Sequence, residues 1–450
     1  MPQLSPRPNL HSGPYSGPQP STVISNDTLP QRVDVAIVGA GIAGICTALE
    51  LAERGHTVAV FEKGIVAGEQ SSLNWGWCRK MGRDPRELPL VQVSMDLWRQ
   101  MRQRVGEEVG FRECGIAYLC ETEAQLEKRR AWYERYVDLH GLPTRMVSAR
   151  EAQDLAPGSS IAWKGGLITQ DDGRAEPTLA VPAMARAAQR LGVSLHQHCA
   201  VRGFETQGGR IASIVTEKGT VACQTLVVAG GAWSRRFLHN MGIGLPQLTV
   251  TNSVMRTAPF ETSINHSLAA RRVAIRKRLD GGYTVAHSIY NTADIIPDSF
   301  RLLPHFAPLL KDEWRDFTFR LGHRFLEESR LKRRWALDER SPFEVVRQLV
   351  GKPNPKVQRE ALASLTEIFP SFDGIKIAQE WAGIIDVMPD AVPVIGPVER
   401  HPGLILSTGY SGHGFGLGPG AGRLTADLVT GDAPCVDPAP FSPARFVKAR

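Results

Sequence analysis

The chain has few of the features that define several large protein classes. Its cysteines number seven, scattered at Cys46, Cys78, Cys114, Cys120, Cys199, Cys223 and Cys435. They are odd in number and include no C-x-x-C pair, which argues against a disulfide framework, a zinc site or an iron–sulfur cluster and leaves reduced thiols and no metal. No apolar run approaches the ~20 residues that a spanning helix requires, and the first thirty residues hold no secretory apolar core. Charge of one sign is not gathered into blocks: the formal net charge of +7 arises from 53 Lys and Arg against 46 Asp and Glu along the whole chain. The densest basic run, RLKRRW at 330–335, lies in a mixed-charge segment and reads as a solvated helix face, so nucleic acid is not an expected partner. The longer stretch HRFLEESRLKRRW leaves one alternative, a basic amphipathic helix on an anionic membrane surface. The expected location is cytoplasmic, or peripheral to the inner face of the membrane on that alternative. No Ser-His-Asp or Cys-His constellation stands out.

What the chain does have begins at residue 33. Residues 1–30 are rich in Pro, Ser and Gly and read as a disordered lead-in. There follows VDVAIVGAGIAGICTALELAERGHTVAVFEK. The run VDVAIV is short, apolar and β-branched, as a buried parallel strand requires. Gly39, Gly41 and Gly44 complete G-x-G-x-x-G, a helical pattern runs from Ile42 to Arg54, and HTVAVFE supplies a second strand ending in Glu62. Each part has a physical task. Gly39 permits the tight turn, Gly41 admits a pyrophosphate close to the backbone, Gly44 allows helix and sheet to approach, and the helix N-terminus offers free N–H groups. Glu62 is placed to accept hydrogen bonds from a ribose diol and to disfavour a 2′-phosphate. The unit predicts a bound dinucleotide and does not by itself separate FAD from NAD.

Two later regions return to the same chemistry. Residues 193–233 read as a β-meander followed by the buried strand TLVVAGG, which is expected to join the first sheet. Near the C-terminus, LILSTGYSGHGFGLGPGAGRLTADLVTG reads as a strand, a glycine-dense loop and a helix starting near Gly420. The nucleotide domain is thus expected to be assembled from separated pieces: residues 31–115, 145–245 and 370–432. Residues 116–144 and 246–369 form an inserted substrate domain with a helical segment, and 433–450 a tail.

Five blocks in order resemble the FAD-dependent D-amino-acid oxidase family of glycine, sarcosine and D-amino-acid oxidases and dehydrogenases. They are the opening βαβ unit, GLITQDDGRAEPTLAVPAMARAAQRLGV, TLVVAGGAWS, WAGIIDVMPDAVPVIGP and GYSGHGFGLGPGAG. The resemblance implies an α/β fold, a Rossmann-like FAD-binding domain with an inserted mixed α+β substrate domain. It implies that Gly39, Gly41, Gly44, Glu62 and the following Lys63 contact the pyrophosphate and ribose, and that Ser71 and Ser72 approach the flavin's linker. Val201 falls where the family makes backbone contacts to adenine. Gly231 and Trp233 match a Gly-Ala-Trp block beside the nucleotide, with core packing an equal reading for the indole. Gly412, His413, Gly414 and Phe415 match the loop that passes the flavin ring.

The implied reaction is hydride transfer to flavin from a carbon bearing an amine, giving an imine that hydrolyses. The implied substrate is an amine or amino acid, either a D-amino acid or a secondary, N-substituted one. The resemblance leaves as alternatives an oxygen-using oxidase and a flavin-binding subunit of a heteromeric opine- or sarcosine-type complex, and it does not name the electron acceptor. Two departures from the family pattern matter. WAGIID offers neither the Cys nor the His that ties flavin covalently in the sarcosine-oxidase branch, so FAD is expected to be non-covalent. Gly416 stands where that branch has a lysine thought to assist reaction with oxygen, which favours a dehydrogenase.

A substrate carboxylate calls for an arginine fork. Arg79, Arg83 and Arg86 follow the first βαβ unit, with Trp75 and Trp77 beside them; Arg79 best matches a family position near the substrate, and a surface ion pair is the simpler reading for each arginine. In DGGYTVAHSIYN, period two puts Tyr283 and His287 on one face of a strand, directed at one pocket, with Tyr290 beyond. His287 is a candidate to set the amine's protonation or bind a carboxylate, against the reading of a satisfied structural histidine. Trp381, in WAGIIDVMPDAVPVIG, is a further catalytic candidate, and Asp386 and Asp390 read as turn residues. Residues 296–355 suggest two helices that cap the site, bind a partner or touch lipid.

Overall fold

The computed structural model describes residues 17–289, 291–314 and 317–446. A sheet of eight strands carries the dinucleotide half of the molecule. Its parallel centre runs in the order Leu404–Thr408, Gly219–Val228, Arg32–Val38, Val58–Phe61 and Ser194–His196. These strands are short and apolar because helices cover them, as parallel sheets require. The residues TLVVAGG end the strand that pairs with Arg32–Val38, so the first and second glycine blocks lie side by side.

The third block differs from its expected form. The glycine-dense stretch is helix from Gly414, running to Thr430. Its glycines serve contact rather than turns: a Cβ at Gly418 would stand 2.5 Å from the Ile42 side chain, one at Gly420 2.6 Å from the Leu90 carbonyl oxygen, and one at Gly422 2.5 Å from the Cys46 Cβ. The helix is therefore wedged between Ile42–Glu53 and Leu88–Val105 at a distance no larger residue tolerates.

A ten-stranded, mostly antiparallel sheet forms the second half. Its members move the expected boundaries. Gly165–Thr169 pairs with Ile116–Cys120 on one edge and with Thr144–Val147 on the other, and Ile377–Val387 pairs along the length of Leu248–Thr257. Residues 145–147, 165–169 and 377–387 thus lie in this second sheet, whereas the sequence reading places them in the dinucleotide domain. Local pattern cannot distinguish which of two sheets a strand joins. The helix Pro355–Ile368 backs this sheet through Ala361, Leu365 and Ile368.

Residues 17–30 also depart from the reading of an unstructured lead-in; residues 1–16 lie outside the described part. Ser21 N donates to Thr178 O at 2.9 Å, Asn26 N to Leu195 O at 2.7 Å, and Gln197 Nε2 to Val23 O at 2.7 Å, with Val23 buried. Extended backbone satisfied by a neighbouring strand and helix needs no apolar periodicity of its own. Among its described residues, the segment expected to form two helices holds four short ones, Pro297–Arg301, Leu303–Glu313, His323–Arg330 and Pro342–Val345. It also holds the strand Phe317–Arg320, which extends the substrate sheet.

Candidate active site

A cavity of about 740 Å³ opens beyond the carboxyl ends of the parallel strands and passes between the two sheets, where α/β folds bind ligands. Its inner half rests on the glycine loop. Gly39 has φ +103°, and a Cβ there would stand 2.5 Å from the Ala229 carbonyl oxygen. Gly41 borders the cavity; Gly44 does not, and a Cβ on it would meet the Gly39 carbonyl oxygen at 2.0 Å, so it is the close-packing glycine of the three. The Glu62 carboxylate accepts from Ala40 N at 3.0 Å and Gly64 N at 2.7 Å, which fixes it at the mouth of the second strand. Burial pushes that carboxyl up from its ordinary range, against the pull of Lys63.

The polar neighbours form one network. Lys63 Nζ pairs with Glu69 at 2.5 Å, donates to Arg347 O at 2.9 Å and lies 4.7 Å from the Trp233 ring centre. Trp233 lines the cavity and also packs edge-on against Phe343, so its place in the packing and its place on the cavity wall are compatible. Ser71 Oγ accepts from Ile42 N at 2.9 Å, which caps the glycine-loop helix at the cavity wall, whereas Ser72 is buried away from the cavity. Val201 and Gly231 line the wall.

At the far end of this half, Gly412 turns the chain with φ +83°, and His413, Gly414 and Phe415 follow on the cavity wall. His413 Nδ1 lies 3.0 Å and 2.9 Å from the two carboxylate oxygens of the fully buried Glu87. Burial and the nearby Arg83 push the imidazole below its ordinary value, with Glu87 opposing. A neutral ring that donates Nδ1–H to Glu87 presents Nε2 as an acceptor. Asp386, read from sequence as a turn former, is instead a buried hub: it accepts from Gly409 N and Gln247 Nε2, each at 2.9 Å. Burial raises its carboxyl. The available signal was a single acid in an otherwise apolar strand, WAGIIDV.

The outer half has the opposite charge. Arg79 and Arg83 enter it from the loop after Trp77, and Lys128 and Arg129 from the helix Glu123–Tyr136. Arg79 lies 5.8 Å from the Tyr118 ring centre and donates through Nη1 to Met81 O. Arg83 is buried, its Nε 3.4 Å from Arg79 O, and Nη1 has no partner among the described residues. Burial brings Arg83 down to about 10, so it is still cationic at neutral pH. Trp75 and Trp77 meet edge to face at 5.5 Å and form an apolar wall, as their sequence position suggested. Trp75 Nε1 donates to Asn252 Oδ1 at 2.9 Å, and Asn252 Nδ2 to Asn291 Oδ1 at 3.0 Å. Neither asparagine was singled out from sequence, because isolated amides in unrelated strands carry no motif.

Several expected site residues lie elsewhere. Tyr283 is fully buried behind the sheet, its hydroxyl donating to Ile264 O and its ring 5.2 Å from Phe372. The period-two argument failed because the strand ends at Ala286. His287 leaves the alternation and lines the cavity alone, with Nε2 3.8 Å from Glu360. Burial depresses His287 to about 4, so it is neutral at physiological pH and does not clamp a carboxylate by charge. Trp381 does not reach the cavity; it packs on Leu73 and donates to the Leu73 carbonyl at 2.9 Å, supporting the loop that carries Trp75. Arg86 is a surface residue paired with Asp84 and Asp390. Tyr290 lies outside the described residues.

The FAD dependent oxidoreductase family model (DAO) matches residues 34–428. The chain belongs to this family. An L-amino acid deaminase from Proteus myxofaciens, solved in complex with anthranilate, is similar with a TM-score of 0.92 and 35% identity, covering 96% of this chain and 98% of that one. An L-amino acid deaminase from Proteus vulgaris has a TM-score of 0.90 and 33% identity, over 95% and 100%. A glycine oxidase of Pseudomonas aeruginosa is 26% identical over 91% of this chain and 98% of its own length. This DAO-family chain is an FAD-dependent oxidoreductase, and its residues fit that cofactor. The cradle at Gly39 that a Cβ would fill, the acid at Glu62 and one cavity continuous from that loop to His413 accommodate an extended dinucleotide ending in a flavin. No helix among the described residues is long and apolar enough to cross a membrane.

Proposed function

We propose that the protein oxidatively deaminates an L-α-amino acid on non-covalently bound FAD and passes the electrons to an acceptor other than oxygen. The observation that carries the substrate class is the charge of the outer half, where Arg79, Arg83 and Arg129 face a wall of Trp75 and Trp77. Guanidinium forks suit a carboxylate and the indoles suit an apolar side chain. The L configuration is supported by likeness to the Proteus deaminases at 33–35% identity. FAD, when bound, supplies the hydride acceptor.

The protein's own tasks follow from the geometry. Arg83, with an N–H group directed to no other partner, holds the carboxylate, and Arg79 assists from the rim. This reverses the order expected from sequence, where Arg79 ranked first. His413, fixed by Glu87, accepts the ammonium proton at Nε2, leaving the amine neutral so that its lone pair assists C–H cleavage. Position 416 supports the choice of acceptor. A Cβ on Gly416 would point at the Trp77 carbonyl oxygen, 3.2 Å away, so the helix offers no side chain toward the cavity there. Peripheral membrane contact is supported by a separate observation: Phe300, Leu303, Trp314, Phe319, Leu321 and Leu326 are all exposed within one segment, where lipid rather than water suits them.

The test is anaerobic bleaching of the purified flavoprotein by matched L- and D-amino acids, followed by oxygen or a quinone-like dye. Rapid bleaching by an L-amino acid with apolar side chain, and reoxidation faster by dye than by oxygen, is the expected result. Preference for the D series or for N-methyl substrates removes the stereochemical assignment, and fast reoxidation by oxygen removes the acceptor.

A further inference from the structure

A second concave site lies away from the cofactor cavity, at the root of the inserted segment. It is a small notch between the helix Ser234–Asn240, the helix Pro297–Arg301 and the chain after His323–Arg330. Its charges do not balance. Arg235 and Arg301 share one carboxylate, Asp298; Arg236 and Arg324 share another, Glu328. Arg333 lines the same notch and forms no ion pair among the described residues. Four guanidinium groups, Arg235, Arg236, Arg301 and Arg333, thus line the notch with two carboxylates, one of which Arg324 also engages from beside it. Arg235 is mostly buried, and its Nε has no hydrogen-bond partner among the described residues. Burial and the crowding of Arg333, Arg236 and Arg301 hold it below its ordinary value, against Asp298. Like charges this close repel unless an anion joins them.

The helices that supply the notch indicate what carries the anion. Phe300 is 63% exposed on the helix that supplies Arg301, and Leu326 is 56% exposed on the packed neighbouring helix that supplies Glu328. A free anion has no use for exposed apolar side chains on these helices, whereas a phosphate attached to acyl chains uses both.

We propose that this notch binds the phosphate of an anionic phospholipid headgroup, with Arg235, Arg301 and Arg333 as its donors and Phe300 and Leu326 against the adjoining acyl region. The site rests on the reading of the insert as a lipid-facing surface, and gives that surface a fixed point of attachment and hence an orientation.

The experiment uses the FAD-loaded full chain and flotation with vesicles of phosphatidylglycerol mixed into phosphatidylcholine, or of phosphatidylcholine alone. Wild-type protein is expected to float with the anionic vesicles. Arg301→Ala and Arg333→Ala are each expected to weaken binding about fivefold, from ~1 kcal/mol per basic residue near an anionic surface, while the flavin spectrum and bleaching by amino acid are unchanged. Arg333→Lys should restore part of the loss if charge is used, and less than Arg if the fork is used. If both alanine variants float like wild type, the notch assignment falls and the lipid-facing surface stands. If wild type floats with neither vesicle, both fall. Stabilisation of the protein by inorganic phosphate without any flotation overturns the lipid source and leaves a free-phosphate site.

Discussion

The two halves of the cavity are built in opposite ways. The dinucleotide half is founded on one stretch, residues 38–71, joined by Trp233, Asp386 and the loop at 410–415, and its carboxylates Glu62, Glu69 and Asp386 stand beside the backbone N–H groups of the glycine loop. The substrate half draws on the loop at 75–83, the helix at 123–136 and strands near 252 and 270–291, and its charges are cationic. A cofactor common to many enzymes is bound by backbone geometry, which tolerates little change. On the proposed function, a variable substrate meets side chains on separate elements, each of which is free to change alone.

The sharpest way to break that contrast is at Gly39. Gly39→Ala adds a Cβ 2.5 Å from a backbone oxygen in a conformation with φ +103° that alanine resists. We expect purified protein without flavin absorbance. Retention of flavin at wild-type stoichiometry would show that the loop is not the cofactor's seat.

In the substrate half the expected effect is graded. Arg83→Lys replaces a buried fork by a point charge. A charged hydrogen bond contributes about 1.5–3 kcal/mol, so kcat/KM should fall on the order of 10- to 100-fold while flavin remains bound. Arg79→Lys should cost less, because that guanidinium is partly occupied by the Met81 carbonyl. Stopped-flow reduction of both variants ranks them, and a larger loss at Arg79 would reinstate the order expected from sequence.

That ranking shows where sequence reading ends. That the glycine loop, Glu62, Ser71 and the His413 block meet at one cavity was legible because each sits on a local feature: a turn, a helix end, a strand end. The roles of Arg79 and Arg83 were not, since their difference lies in what surrounds each guanidinium. Tyr283 misled for the same reason. A periodicity gives a face, but not whether cavity or helix Pro355–Ile368 covers it. Asp386 was misread and the Asn252–Asn291 pair missed because their partners are 23 to 139 residues distant.

A smaller effect tests how the two halves are joined. Asp172, in the block GLITQDDG, is fully buried and accepts from Lys80 N at 2.8 Å and Met81 N at 3.3 Å, immediately after Arg79. It acts through the backbone, as a positioning residue. Asp172→Asn keeps one carbonyl acceptor and loses the other, so KM should rise roughly threefold to tenfold with kcat less affected. Burial raises Asp172 to about 7. The folded protein therefore keeps this proton to higher pH than the unfolded chain, and stability falls as pH rises from about 4 to 7, the ordinary and folded values. The Asn variant should lose that slope in denaturation experiments, and an unchanged slope would assign it to another group.

The smallest effect at neutral pH belongs to His287, which borders the substrate half without charge. Its folded value of about 4, set by burial, lies below the ordinary 6.5. Above 6.5 both folded and unfolded chains hold a neutral ring, and the group costs nothing. As pH falls from 6.5 toward 4 the unfolded chain takes up the proton first, so folded-state stability is lost through that window. His287→Gln should leave flavin reduction at pH 7.5 unchanged and should remove this part of the acid sensitivity. A large fall in reduction rate at pH 7.5 would instead place His287 against the substrate, and the division between a cationic clamp and a neutral wall would have to be redrawn.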